Sequence, residues 1–307
     1  MGRSRLAWLY LLTVALVWAL GEWVGERTVP TLLLAYAPPL LWLLPAPLVL
    51  LWTLWRRRGL GPALAGTLLA AGGAGLLHWQ PQQPGTLRVV TFNVARGTRG
   101  TPEQIGAALR AADADLLLLQ ETNFVRPGFR EELLAGLPGY SVSTGSEVMT
   151  LSRLPVEDAR THAMPGSRRT ILETRVRWRG QAARVVNAHL GTVLVSSVLR
   201  GDVARVRRTR NTRAEQVSRL GEIAAREPGP LLLGGDLNTP PRGVAYRQLR
   251  RAFGPDAHDL AGRGPGWTFP SLFLRIDHLL SRGLTPRRAQ VLPGEGSDHR
   301  PLLAEYP

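Results

Sequence analysis

Eight polar side chains of the kinds that bind hard cations or phosphate stand at or near the ends of apolar runs: Asn93, Glu121, His189, Asp236, Asn238, Asp277, Asp298 and His299. A charged group at the end of a buried strand is costly unless it is paired or held by a metal. One such residue is easily explained as a solvated strand end; eight of the same chemical kinds are not. In LLLGGDLNTPP (231–241) Asp236 and Asn238 are two residues apart, so in an extended chain they face the same space, one an acceptor and the other also a donor. Taken alone, this piece reads equally well as an Asx turn capping the next helix.

The elements that must carry these residues are legible as apolar runs. TLRVVTFNV (86–94), DLLLLQET (115–122), ARVVNAHL (183–190) and GPLLLGGDLN (229–238) read as strands ending in the polar set, with further strands at EVMTLSRLPV, ILETRVRW, RIDHLLS (275–281) and HRPLLAEY (299–306). TPEQIGAALRAADA opens with a Thr cap and a Pro at the first helical position, and TRAEQVSRLGEIAARE (212–227) has helical periodicity. Buried strands interleaved with helices indicate an α/β or α+β fold with a large sheet.

The chain has 307 residues and no cysteine, which excludes disulfides, zinc–thiolate sites and cysteine nucleophiles. All 38 basic residues are Arg and the net charge is +15, which favours acidic partners: nucleic acid, anionic lipid or phosphorylated small molecules. Four arginines of LRGDVARVRRTRNTR (199–213), Arg200, Arg205, Arg207 and Arg208, form a candidate anion-recruiting segment; the bland reading is a solvated face.

Residues 1–80 differ from the rest. Stretches 6–24, 31–55 and 62–79 are apolar enough to be three transmembrane helices. Trp8, Trp18, Trp23, Trp42, Trp52 and Trp55 lie in this region, several near span ends. The first stretch also resembles a signal peptide, but no A-x-A-like site follows it closely, which favours an uncleaved anchor. Arg3, Arg5 and Arg56 to Arg58 put those ends in the cytoplasm by the positive-inside rule. The expectation is a multi-pass cell-membrane protein: PQQPG (81–85) as linker, and an extracytoplasmic catalytic domain over 86–307.

The pieces TFNV, LLLLQET, LSRLP, VNAHL, RTRNTRAEQ, GGDLNTPP, RIDHLL and GSDHRPLLAE, in this order over nearly all of 86–307, resemble the endonuclease/exonuclease/phosphatase superfamily, the metal-dependent phosphoesterases that include DNase I-like nucleases, inositol phosphatases and neutral sphingomyelinases. The resemblance implies a four-layer sandwich, two mixed sheets face to face with helices outside. It makes Glu121 the principal ligand of Mg²⁺, or of Mn²⁺ as the alternative, with Asn93 and Asp298 beside it. It makes Asp236 the group that orients or deprotonates the attacking water and Asn238 a holder of a phosphate oxygen. His189 and His299 become donors to the phosphoryl oxygens, with Asp277 fixing and charging His299. Glu147 is the candidate acidic partner of His189. His278, on the opposite strand face from Asp277, reads as a packed or surface histidine, and His78, His162 and His258 as ordinary.

The expected substrate is a phosphate ester, preferably a phospholipid or lipid-linked phosphate at the outer membrane face. A tethered extracytoplasmic nuclease is the alternative partner reading, weakened because the Arg run lacks the aromatics that stack on bases. A non-catalytic scaffold would show a lost site residue, and none is missing. No protein partner is inferred.

Overall fold

The computed structural model describes residues 4–193, 197, 200–226 and 228–307. Arg3, Leu199 and Glu227, which enter the readings above, lie outside these residues. Two mixed sheets face each other. The first has six strands in the order β10-β11-β1-β2-β4-β3, from β1 (Leu87–Asn93), β2 (Leu116–Gln120), β3 (Ser141–Thr144), β4 (Val148–Ser152), β10 (Arg288–Val291) and β11 (Leu302–Tyr306). The second has five in sequence order: β5 (Val156–Ala163), β6 (Thr170–Trp178), β7 (Gln181–Asn187), β8 (Leu231–Asp236) and β9 (Asp277–Arg282).

The run Leu116 to Leu119 does not alternate because both of its faces are buried. Leu116 and Leu118, with Val89 of β1, meet Val185, Leu232 and Leu279 between the sheets. Leu117 and Leu119 point outward, onto α5 (Pro102–Ala112) and α6 (Phe129–Ala135). The outer face of the second sheet is covered by α7 (Val203–Ala225) and α8 (Val244–Phe253); α9 (Ala257–Ala261) follows α8 in the chain. The four-layer sandwich is therefore present. The helix expected at 212–227 begins earlier, at Val203, where Asp202 caps the Arg205 N–H at 2.9 Å, so most of the Arg-rich run is helix rather than loop.

Two parallel pairs decide where the polar residues go. β1 pairs parallel with β2, and β7 with β8, while all other neighbours are antiparallel. The parallel pairs end together at one rim of the sandwich, delivering Asn93, Glu121, His189 and Asp236. The antiparallel β9 starts at the same rim, with Asp277 in register with Asp236, and β11 brings His299 just ahead of its first residue. The Gly234–Gly235 pair makes the close approach possible. A Cβ on Gly234 would overlap Leu118 across the sandwich, and one on Gly235 would overlap the Ala188 carbonyl.

The N-terminal unit consists of α1 (Arg5–Ala19), α2 (Val29–Ala35), α3 (Ala46–Arg56) and α4 (Leu60–Gly73). Its packing is inverted. Small residues such as Ala7, Ala46, Ala63 and Ala70 fill the interior, and large apolar ones face outward, Leu48 being 72% exposed. The segments Arg5–Arg27 and Pro39–Arg56 are long and apolar enough to cross a bilayer. The span expected at 31–55 is split: α2 ends at Ala35, and Leu32 and Tyr36 pack on Val206, Leu274 and Ile276 of the two-sheet part. α4 has 14 residues, about 21 Å, where the third span was expected. The expected linker at 81–85 is tied down, with Gln83 N bonded to Arg287 O at 3.0 Å and the Gln82 amide donating to Ala261 O and Ala289 O. The turn at Gly59 lies against Ser4 and Ala7, while the opposite end of the bundle meets the two-sheet part through Glu22–Arg247 and Gly73–Arg242.

Candidate active site

Asp236 is the centre of the rim. Its Oδ1 accepts from Asn238 N at 3.0 Å and its Oδ2 from Asn93 Nδ2 at 2.9 Å. The His189 and His299 Nε2 atoms lie 3.4 and 3.7 Å from the same Oδ2. Burial would raise the Asp236 pKa, but His299, His189, the Asn93 amide and the Asn238 N–H pull it below the usual carboxylate value. The group is thus an anion poised between two imidazoles.

His299 is held from behind. Its Nδ1 lies 2.8 Å from Asp277 Oδ2, which fixes the ring and leaves Nε2 facing Asp236. Burial works against its charge, yet Asp277 and Asp236 keep its pKa up at about 10. Burial also raises the Asp277 carboxyl, against the pull of His299. His189 Nδ1 lies 2.8 Å from Glu147 Oε1, which also faces Arg169 at 2.8 Å. The residue guessed as the partner of His189 therefore sits beside it.

Glu121 and Asn238 both have positive φ, 56° and 45°. Asn adopts this left-handed region with little penalty, whereas for Glu it is strained by roughly 1–2 kcal/mol. The strain turns the Glu121 side chain at the end of β2 toward Asn93 Nδ2, at 3.3 Å. Glu121 has no cation beside it among the described residues and is only partly buried. An oxygen donor with one amide contact suits a hard cation that keeps several waters. Asp298, 39% exposed in its side chain, stands nearby with Arg99 at 3.8 Å. The Ser297 hydroxyl of the same loop donates to Asn93 O at 2.7 Å. Asn93 itself turns its NH₂ toward the two carboxylates and its oxygen to Ala95 N, so in this orientation it ties Glu121 to Asp236. Asp236, Asp277 and His299 bring three metal-type ligand atoms within 4.8 Å of one another. Two of these three are already bonded to each other, as a relay requires.

Arg200, Arg205, Arg207 and Arg208 do not join this cluster. All four are exposed, Arg200 in the turn ahead of α7 and Arg205, Arg207 and Arg208 along its start. Arg210 of the same helix donates to Arg27 O at 2.8 Å, beside the apolar helices.

Three supporting contacts were not legible from sequence, although the sequence alone reads His278 as a packed or surface histidine. His278 is buried, and its ring nitrogens lie 2.6 Å from Asp256 Oδ2 and 2.7 Å from Thr239 O, so it clamps the residue after Asn238. The Tyr36 hydroxyl, from the N-terminal unit, donates to Asn238 O. Gln120 and Asn187 join the two sheets through a buried bond of 2.8 Å. Burial and a gap in strand alternation were the available signals, and neither identifies the partner. His78 stacks on His258, and His162 pairs with Glu173 at 2.6 Å, both away from the rim.

The model of the Endonuclease/Exonuclease/phosphatase family matches residues 90–299. UPF0294 protein VP2298 of Vibrio parahaemolyticus is 26% identical over 243 residues, 72% of this chain and 78% of that protein. Among solved structures, Danio rerio TDP2 complexed with a single-strand DNA product superposes with a TM-score of 0.57 at 14% identity, covering 72% of this chain and 98% of that one. The human nocturnin catalytic domain with bound sulfate gives 0.56 at 17% identity, covering 74% and 96%. Proteins of this family generally use divalent metals. A family match over well more than half the chain, on a two-sheet sandwich with its polar residues gathered at one rim, makes the chain a member of the endonuclease/exonuclease/phosphatase family, the phosphoesterases and nucleases.

Proposed function

We propose that this protein is a membrane-anchored, divalent-metal-dependent phosphoesterase that hydrolyses a phospholipid or lipid-linked phosphate at the outer membrane face. The observation that carries the lipid reading is the position of the Arg-rich start of α7. Its exposed arginines, without an ion pair among the described residues, stand on the helix that contacts Arg27, at the junction with the apolar helices. Each Arg near an anionic lipid surface contributes about 1 kcal/mol. The bundle's outward Leu and Trp side chains suit lipid, and the small residues inside it are what close helix packing in membranes favours. Arg56 to Arg58 close α3 at the end away from the catalytic domain, and the positive-inside rule puts that end in the cytoplasm.

Within the site, Asp236 orients the attacking water and takes its proton. Asn238 keeps Asp236 in place through its N–H and offers its amide to a phosphate oxygen. His299, charged through Asp277, and His189, steadied by Glu147, donate to the phosphoryl oxygens as charge builds. Glu121, with Asn93 and Asp298 as neighbours, would hold Mg²⁺, or Mn²⁺ as the alternative, which when bound neutralises phosphate charge and polarises the ester.

The test uses the full chain in phosphatidylglycerol vesicles, with lipid headgroup release and plasmid cutting measured side by side. Changing Arg205, Arg207 and Arg208 to Gln should slow lipid hydrolysis and leave a soluble phosphodiester unaffected. Efficient plasmid cutting with no release from any phospholipid or lipid pyrophosphate would instead establish the tethered nuclease, for which the same triple change should flatten the salt dependence of DNA binding.

A further inference from the structure

A second cavity, of about 410 Å³, lies where the apolar helices meet the catalytic domain. Its two walls differ in kind. Val17 and Trp18 of α1 and its continuation, Leu69 of α4, and Trp42 make an apolar side. Arg242 and Arg247 stand on the catalytic side, with Pro240 and Pro241 between them and Asn238. None of Asn93, Glu121, His189, Asp236, Asn238, Asp277 or His299 lines it.

Arg242 is the informative residue. Arg247 faces Glu22 at 3.3 Å, and Arg250 faces Asp259 at 3.3 Å. Arg242 has no carboxylate within ion-pair distance among the described residues. Among the described residues its guanidinium makes one hydrogen bond, Nη2 to Gly73 O at 2.8 Å, and it lies 5.5 Å from the Trp18 ring centre. Burial lowers its pKa, against a weaker opposing pull from Glu22, which lines the same cavity but pairs with Arg247, so the cation has lost water without gaining an ion pair of its own. Its backbone is also strained, with φ at 77°. A partly desolvated guanidinium has open donors in a planar fork that matches phosphate. Opposite it is a wall of hydrocarbon that continues into the exposed faces of Leu16 and Leu68. The complementary molecule is an amphiphile with one anionic phosphate next to its chains.

We propose that this cavity binds one anionic phospholipid, its phosphate on Arg242 and its chains running along α1 and α4. The lipid sits behind the turn that carries Asp236 and Asn238 and does not enter the active site. The inference therefore stands apart from the substrate proposed above and would hold equally for a nuclease.

The test is retention of lipid by the full chain in a mild non-ionic detergent, titrated with phosphatidylglycerol or phosphatidylcholine and followed by native mass spectrometry. The native protein should retain one phosphatidylglycerol with at least a tenfold preference over phosphatidylcholine. Arg242→Gln should abolish that preference while hydrolysis of a soluble phosphodiester stays within twofold. Val17→Trp fills the apolar wall without touching the charge, and should weaken both lipids. Equal retention of the two lipids by the native protein overturns the proposal. So does phosphatidylglycerol binding that neither variant alters.

Discussion

Replacing Asp277 by Asn tests the relay behind His299. The substitution keeps an oxygen to accept from His299 Nδ1 but removes the charge 2.8 Å away. His299 is held at about 10, three to four units above an ordinary imidazole and on the order of 5 kcal/mol in favour of the imidazolium. Asp277 is closer to the ring than Asp236, at 2.8 against 3.7 Å, so it supplies at least half of that bias. Its loss should bring His299 down by roughly two units, to about 8. The donor is needed protonated, so activity is lost as pH rises through this pKa. Native activity should hold until about pH 10, whereas the variant at pH 9 should retain about a tenth of its own maximum. Stability follows the same sign: the contribution of a raised histidine is complete below about pH 6.5 and is lost as pH rises through the folded value. The fall in melting temperature on the alkaline side should accordingly be shallower in the variant. The assay is the initial rate on a soluble phosphodiester with Mg²⁺ from pH 6 to 10.5. A variant whose alkaline limb coincides with the native one refutes the relay.

Glu121→Gln should lower hydrolysis by orders of magnitude with an unchanged melting temperature, and EDTA should abolish native activity; full turnover in EDTA would remove the metal from the mechanism. Asp236→Asn should cost roughly 10²-fold or more in turnover with little change in substrate binding, and near-native turnover would make Asp236 only a turn residue. Reporter fusions after Trp55 should score cytoplasmic and fusions after Gly85 extracytoplasmic, with deletion of Arg56 to Arg58 scrambling both; a cytoplasmic score after Gly85 would end the outer-face reading.

The strands that build the rim were legible because both of their faces are buried, which leaves long apolar runs with abrupt polar ends. Asn93, Glu121 and Asp236 are such ends. The short edge strands β3 and β10 were not legible. Each has four residues, and Ser141, Val142 and Thr144 of β3 are exposed, so no apolar run marks it. The start of α7 was missed for a different reason: its arginines hide the helical period, and only Val206 there is buried. Glu147 and His278 show the limit on the site itself. Their residue types were informative, but what each touches depends on strands far away in the chain. His278 meets Asp256 and Thr239, 22 and 39 residues away, and Glu147, ahead of β4 in the first sheet, meets His189, after β7 in the second.

The boundary near residue 85 was legible as a change of composition, yet it is not an energetic boundary. Leu32 and Tyr36 belong to the N-terminal unit and are buried on Val206, Leu274 and Ile276. Burying each such side chain is worth about 1.5–3 kcal/mol, a large share of a domain's net stability of roughly 5–15 kcal/mol. Glu26 accepts from Val244 N at 2.7 Å and so neutralises the start of α8. Tyr36 reaches the carbonyl of Asn238, in the turn that carries Asp236. A chain cut at residue 86 would expose the apolar patch, uncap α8 and free the carbonyl of a residue held at positive φ. The same contacts seat the apolar helices and brace the elements around Asp236: Tyr36 holds the Asn238 carbonyl, and Glu26 holds Val244 N at the start of α8. For this reason the activity of the full chain, in lipid, is the quantity that reports on the site.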